Sequence, residues 1–168
     1  MRSFSRVIGV LSLLFLCLIN ANCNRKSQSV FLDTEMRDNN WVSHQAPEVN
    51  EWVASYDGRQ NCRHVIDSIP SFGGIINAED FPLKKGDEYV ITFTIKVISG
   101  TVNIQIIQDF DKSPTYLSFG GIKDEKWTKK EIFFTAEKTS PKNRINFTNN
   151  MPTEGVEFYI DNVRLRER

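Results

Sequence analysis

The sequence predicts an all-β chain folded as an antiparallel β-sandwich. Three observations carry this. Apolar and polar side chains alternate over several runs, turn-forming residues separate those runs, and the body holds no long stretch with a helical apolar spacing. Twelve Phe, three Trp and four Tyr agree with it, because aromatic side chains suit a pleated, half-buried surface. With 168 residues the chain is the size of one domain.

The first element is an export signal over residues 1–22. Arg2 and Arg6 precede a thirteen-residue apolar run at 7–19, which is short for a bilayer span and right for the h-region of a secretory signal. Asn20-Ala21-Asn22-Cys23 follows. It resembles a bacterial lipoprotein processing site, with Cys23 as the lipidated first residue, although the usual Leu and small residue before the Cys are missing. Simple cleavage near Ala21 is the other reading. Residues 23–29 form a polar tether, and the body runs from 30 to the charged end of the chain at 168.

Within the body, residues 52–55, 61–66 and 73–77 read as short strands. Residues 88–97 alternate cleanly, with Tyr89, Ile91, Phe93, Ile95 and Val97 on one face. Lys84-Lys85-Gly86-Asp87 before them is a turn. In 101–108, Val102, Ile104 and Ile106 share one face, while Asn103 and Gln105 point the other way. Strands at 127–135 and 144–148 follow. Residues 156–165 close the fold with Val156, Phe158 and Ile160 inward, and Asp161-Asn162 breaks the alternation as a bulge does.

Charge excludes one class of partner. The chain has 21 basic and 21 acidic residues, and losing Arg2 and Arg6 leaves 19 basic, a slightly acidic body without a footprint for nucleic acid. Of three cysteines, Cys17 leaves with the signal; Cys62 is then a lone buried thiol if Cys23 is lipidated, or can pair with Cys23 in an oxidising exterior if it is not. His44 and His64 are the only histidines and no CxxC pair occurs, so an ordinary zinc site is not expected. Asp109 and Asp111 could approach each other as a glycosidase pair must, but a turn gives them little burial to tune a pKa. No nucleophile elbow, phosphate loop or zinc-protease signature is present, and the chain reads as a non-enzyme. Asn146-Phe147-Thr148 is a glycosylation sequon.

Four segments in order give a resemblance. Trp52 with Asp57-Gly58, residues 81–96, Lys126-Trp127-Thr128 with Phe134-Thr135, and the closing run 158–165 together resemble the β-jelly-roll carbohydrate-binding modules, the galactose-binding-domain-like group that includes families four, nine and twenty-two. The likeness covers about 50–165 and implies a jelly roll with Trp52 and Trp127 packed in the core. It also implies a structural calcium linked to Asp161, with Asp33 and Glu35 as candidate partners; the Asn-Gly start that helps bind that ion is absent here, and Asp161 as a turn-capping residue is the alternative.

The function implied is glycan binding outside the cell. A pyranose offers a C–H face to an aromatic ring and a rim of hydroxyls to amides and charged groups. Asn103 and Gln105 point away from the apolar side of their strand; Tyr116 and Tyr56 fall where the group places stacking aromatics; Phe72 and Arg63 are further candidates. The expectation is therefore an exported, non-catalytic glycan- or polysaccharide-binding module, secreted or held at the cell envelope through a lipid at Cys23. The second reading is an exported interaction or structural module without sugar binding, since fold alone does not fix function.

Overall fold

A computed structural model describes the backbone of residues 29–68, 72–150 and 153–168, and side chains from Thr34 onward among them. The expected signal, Cys23 and the tether up to residue 28 lie outside the described residues. Among the described residues there are twelve strands and no helix. In chain order they are β1 (Ser29–Asp33), β2 (Trp41–His44), β3 (Val49–Tyr56), β4 (Arg59–Asp67), β5 (Gly74–Asn77), β6 (Phe81–Leu83), β7 (Glu88–Ser99), β8 (Val102–Gln108), β9 (Thr115–Ile122), β10 (Thr128–Thr135), β11 (Ser140–Asn149) and β12 (Val156–Glu167).

They form two antiparallel sheets packed face to face. The first runs β10-β7-β12-β4-β3, with β1 also on β12; the second runs β2-β5-β11-β8-β9, with β6 also on β11. The expected sandwich is the fold found. Side-chain parity decides which residues enter it. Tyr89, Ile91, Phe93, Ile95 and Val97 of β7 are all buried, facing Ile104 and Ile106 of β8 and Ile145 and Phe147 of β11 in one cluster. Phe147 joins the layers: its ring meets Phe93 edge-on at 5.2 Å and Trp41 at 5.6 Å. Each such fully buried side chain is worth roughly 1.5–3 kcal/mol of transfer energy.

Local chemistry sets the ends. Asp57 and Gly58 join β3 to β4 with φ of 46° and 80°, the two left-handed residues of a tight hairpin turn, which Asp-Gly adopts at low cost. Asp67, fully buried, accepts from Gly73 N–H at 3.1 Å and ties the exit of β4 to the entry of β5. The bulge expected at Asp161-Asn162 is present: the β12–β7 register slips between Asp161 and Arg164, and Asn162 has φ of 60°. The sequon is closed to a glycan in the folded chain, because Asn146 lies at 0% exposure in the middle of β11 between β5 and β8. Lys129 and Lys130 stand on β10, an edge strand, where charge blocks sheet extension.

Four strands were not foreseen. β1, β2 and β6 are three to five residues long, too short to show a period, and β9 contains Gly120-Gly121. Two tryptophans expected in the core are elsewhere. Trp52 is 41% exposed, because β3 is the edge of its sheet and the side of that edge facing inward meets the 34–40 loop instead of the opposite sheet. Trp127 stands one position before Thr128, which pairs with inward Ile95, so parity sends Trp127 to the outer side, against Tyr159.

Candidate glycan-binding face

The outward side of the second sheet is built by strand pairing into three rows. Tyr116, Ile107 and Arg144 form one across β9, β8 and β11. Ser118, Gln105, Asn146, Ile76 and Val42 form the next across β9, β8, β11, β5 and β2. Asn103, Thr148, Gly74 and His44 form the third, with Gly120 opposite Asn103 where the β8–β9 register slips. No aspartate or glutamate stands in these rows.

Although these side chains point away from the core, the middle of the face is buried. Asn146 is 0% exposed, Thr148 1% and Asn103 7%, while Tyr116 at the margin is 55% exposed. These outward groups form a strip screened from solvent, with the exposed ring of Tyr116 at its margin. Gly120 helps shape it: a Cβ there would come within 2.6 Å of Asn150 Oδ1 and 3.3 Å of Asn103 Oδ1, so any side chain would crowd the third row.

The polar atoms of the strip are only partly used. Asn146 Nδ2 donates to Gln105 Oε1 at 3.3 Å. Asn146 Oδ1, Thr148 Oγ1 and Arg144 Nε are buried with no hydrogen-bond partner. Leaving such a group dry costs roughly 1–3 kcal/mol, so these three atoms concentrate unmet hydrogen bonding in one strip. Arg144 is aimed by its neighbours: Nη1 donates to Asn77 O at 2.7 Å, Nη2 pairs with Asp80 at 3.0 Å, and its guanidinium lies 5.6 Å over the ring of Phe110, itself 40% exposed. Burial lowers the pKa of His44 at the far end.

The six residues singled out from the sequence divide. Asn103, Gln105 and Tyr116 come together on this strip. Phe72, 49% exposed, lies two positions before Gly74, where β5 enters the third row. Tyr56 and Arg63 lie on the first sheet. The Tyr56 ring stacks on Tyr159 at 3.6 Å with planes 3° apart, and His64 stacks on Tyr159 at 4.2 Å. Burial, with the nearby Tyr56 and Glu157, pushes the Tyr159 hydroxyl up to about 12. Arg63 is buried: Nε donates to Asn50 Oδ1 at 2.5 Å, Nη2 to Asn50 O at 3.1 Å, and Nη1 to Asp38 Oδ1 at 2.6 Å and Met36 O at 3.3 Å. Sequence reading passed over Arg144, Asn146 and Thr148, although their alternation with inward Ile145 and Phe147 was the signal that places them here.

Two further expectations meet the structure on the first sheet. Asp161 is buried and accepts from Arg59 Nη1 at 3.3 Å; desolvation raises its carboxyl pKa against the lowering effect of Arg59. Glu35 pairs with Arg37, and the backbone sets Asp33 opposite Val163. Among the described residues no three Asp, Glu, His or Cys side chains gather as a metal group. Cys62 is a free buried thiol, 3.9 Å from Val53 O.

Comparison with solved structures places this fold in a class, that of the carbohydrate-binding-module jelly rolls. The CBM22-1 and GH10 modules of a Clostridium thermocellum endo-1,4-beta-D-xylanase complexed with xylohexaose match 83% of this chain and 28% of their own, with a TM-score of 0.61 and 18% identity. This chain therefore spans well under half of that one. The CBM22-1 xylan-binding domain of Paenibacillus barcinonensis matches 84% of this chain and 95% of its own, with a TM-score of 0.60 and 9% identity. The N-terminal cellulose-binding domain of a Cellulomonas fimi beta-1,4-glucanase matches 84% and 97%, with a TM-score of 0.59 and 15% identity. At these identities the likeness is one of fold. No family model and no curated protein matches the chain.

Proposed function

We propose that this chain is a non-catalytic module that binds a neutral glycan along the outward strip of its second sheet. One observation carries the reading: three buried polar atoms without partners, on Asn146, Thr148 and Arg144, share one strip of the outward face with the exposed ring of Tyr116 at its margin. Sugar hydroxyls donate and accept, so a single chain of pyranoses supplies both kinds of partner while a ring face covers Tyr116. Asp80 neutralises Arg144, the one Lys or Arg of the three rows, which favours an uncharged ligand over a uronate or sialic acid. The fold's solved neighbours, which include a xylan-binding and a cellulose-binding domain, support the same ligand class.

The non-catalytic part of the reading is supported by the former acid-pair candidates. Asp111 is paired with Lys142, and Asp109 accepts from Ser140 Oγ at 3.4 Å. Export by the signal at 1–22, with attachment through a lipid at Cys23, belongs to the proposal and rests on sequence alone. The test is a panel of xylan, cellulose, β-glucan and mannan in affinity electrophoresis, followed by calorimetry with xylohexaose and cellotriose. Retardation by one neutral polysaccharide, reduced in Tyr116→Ala and Asn146→Ala, is expected. Failure to bind any of them would overturn the proposal.

A further inference from the structure

Trp52 opens a second question, because it is not in the core and not on the strip. Its partner in the β3–β4 ladder is Arg63, whose guanidinium reaches the 34–40 loop. Between that loop and the β3–β4 hairpin lies a cavity of about 420 Å³ lined by Glu35, Arg37, Asp38, Trp52 and Asn61. That size falls within the roughly 300–1,000 Å³ of small-ligand pockets.

The chemistry of the lining is specific. Trp52 Nε1 donates to Glu35 O at 3.0 Å, which fixes the indole and uses its only polar atom. What remains open is a large apolar ring, 41% exposed. Both carboxylates are matched, Glu35 by Arg37 and Asp38 by Arg63 at 2.6 Å, so the cavity carries no surplus charge to select an ion. Asn61 sits at φ 57° at its rim and adds an amide. A fixed ring, an amide and neutralised charges are what a neutral pyranose needs: one C–H face to stack and a rim of hydroxyls to hydrogen-bond.

We infer that this cavity is a second pyranose-binding site, separate from the strip on the other sheet. It rests on the proposed glycan-binding function for its ligand class, but on different residues. A protein with two such sites can hold two segments of one polysaccharide, or two chains, and gain avidity without any new contact.

The test follows indole N–H signals by NMR in the full chain during titration with xylohexaose and cellotriose. The Trp52 signal is assigned by its loss in Trp52→Phe. A saturable shift of that signal, persisting in Tyr116→Ala and lost in Asn61→Gly, is expected; glycine tolerates the positive φ at this position, so the variant removes the amide and keeps the turn. Calorimetry should give two sugars bound per chain, falling to one in Trp52→Ala. If amides of the second sheet shift while the Trp52 indole does not, the second site is overturned and the strip stands. If nothing shifts, both are overturned.

Discussion

Asn146 donates through Nδ2 to Gln105 Oε1 across the β11–β8 ladder, 3.3 Å away, and its own Oδ1 is left buried without a partner. The two amides are held in register by the sheet, so the pair works as a fixed unit with one acceptor to spare. Under the proposed function, its arrangement makes the strip a place where stability and binding pull in opposite directions.

Thr148→Val separates the two. The hydroxyl has no partner in the folded chain, and valine keeps the shape. Unfolding by urea should show stability unchanged or raised by about 1 kcal/mol, since a dry polar group is removed. Glycan affinity should fall by about 0.5–1.5 kcal/mol, the worth of one hydrogen bond. Affinity that survives intact would take Thr148 out of the site.

Tyr116→Ala should weaken glycan binding by about 1–3 kcal/mol, the range for losing one aromatic contact. Its ring is more than half exposed, so the thermal midpoint should hardly move. Calorimetry and a melting curve on the same sample decide it; a large loss of stability with unchanged affinity would make Tyr116 a packing residue.

Arg63→Ala should do the reverse. Its guanidinium serves Asn50, Met36 and Asp38 from a buried position; deletion strands the Asn50 and Met36 acceptors, while Asp38, 76% exposed, turns to water. A loss of about 1–3 kcal/mol for each acceptor left dry is expected in urea denaturation. Affinity at the strip should be retained, because Arg63 lies on the other sheet.

His44 gives a pH dependence. Burial keeps its folded pKa below the ordinary 6.5. The unfolded chain therefore takes up a proton first as the solution is acidified. Its contribution to stability is intact above pH 6.5 and declines as the pH drops from there through the lowered folded value. Urea midpoints measured from neutral to mildly acid pH should slope downward, and His44→Gln should flatten that part of the slope. An identical slope in the variant would assign it to other groups.

The fold was legible where a strand is long and has one wet face. Residues 88–97 showed their inward set directly, and Asn103 and Gln105 were placed on the correct side by the same parity. Short strands such as β2 and β6 offer too few residues to reveal a period. Trp52 was misplaced because a sequence does not say that β3 is an edge. Asn146 and Thr148 were visible as a sequon and not as a buried pair in the middle of a sheet face, since that placement depends on β8 and β5 lying to either side, a relation between distant segments. Tyr56 and Tyr116 look alike in sequence, and only topology puts them on opposite sheets.

The burial of Asn146 also bears on how the protein can be made. An oligosaccharide transferred to that amide during synthesis would meet the nascent chain before β11 is zipped between its neighbours, and the sheet could not then close around it. Production in a secretory host that modifies such sequons would divert material into misfolded product, whereas a host lacking the transferase, or an Asn146→Gln chain made there, would yield folded protein.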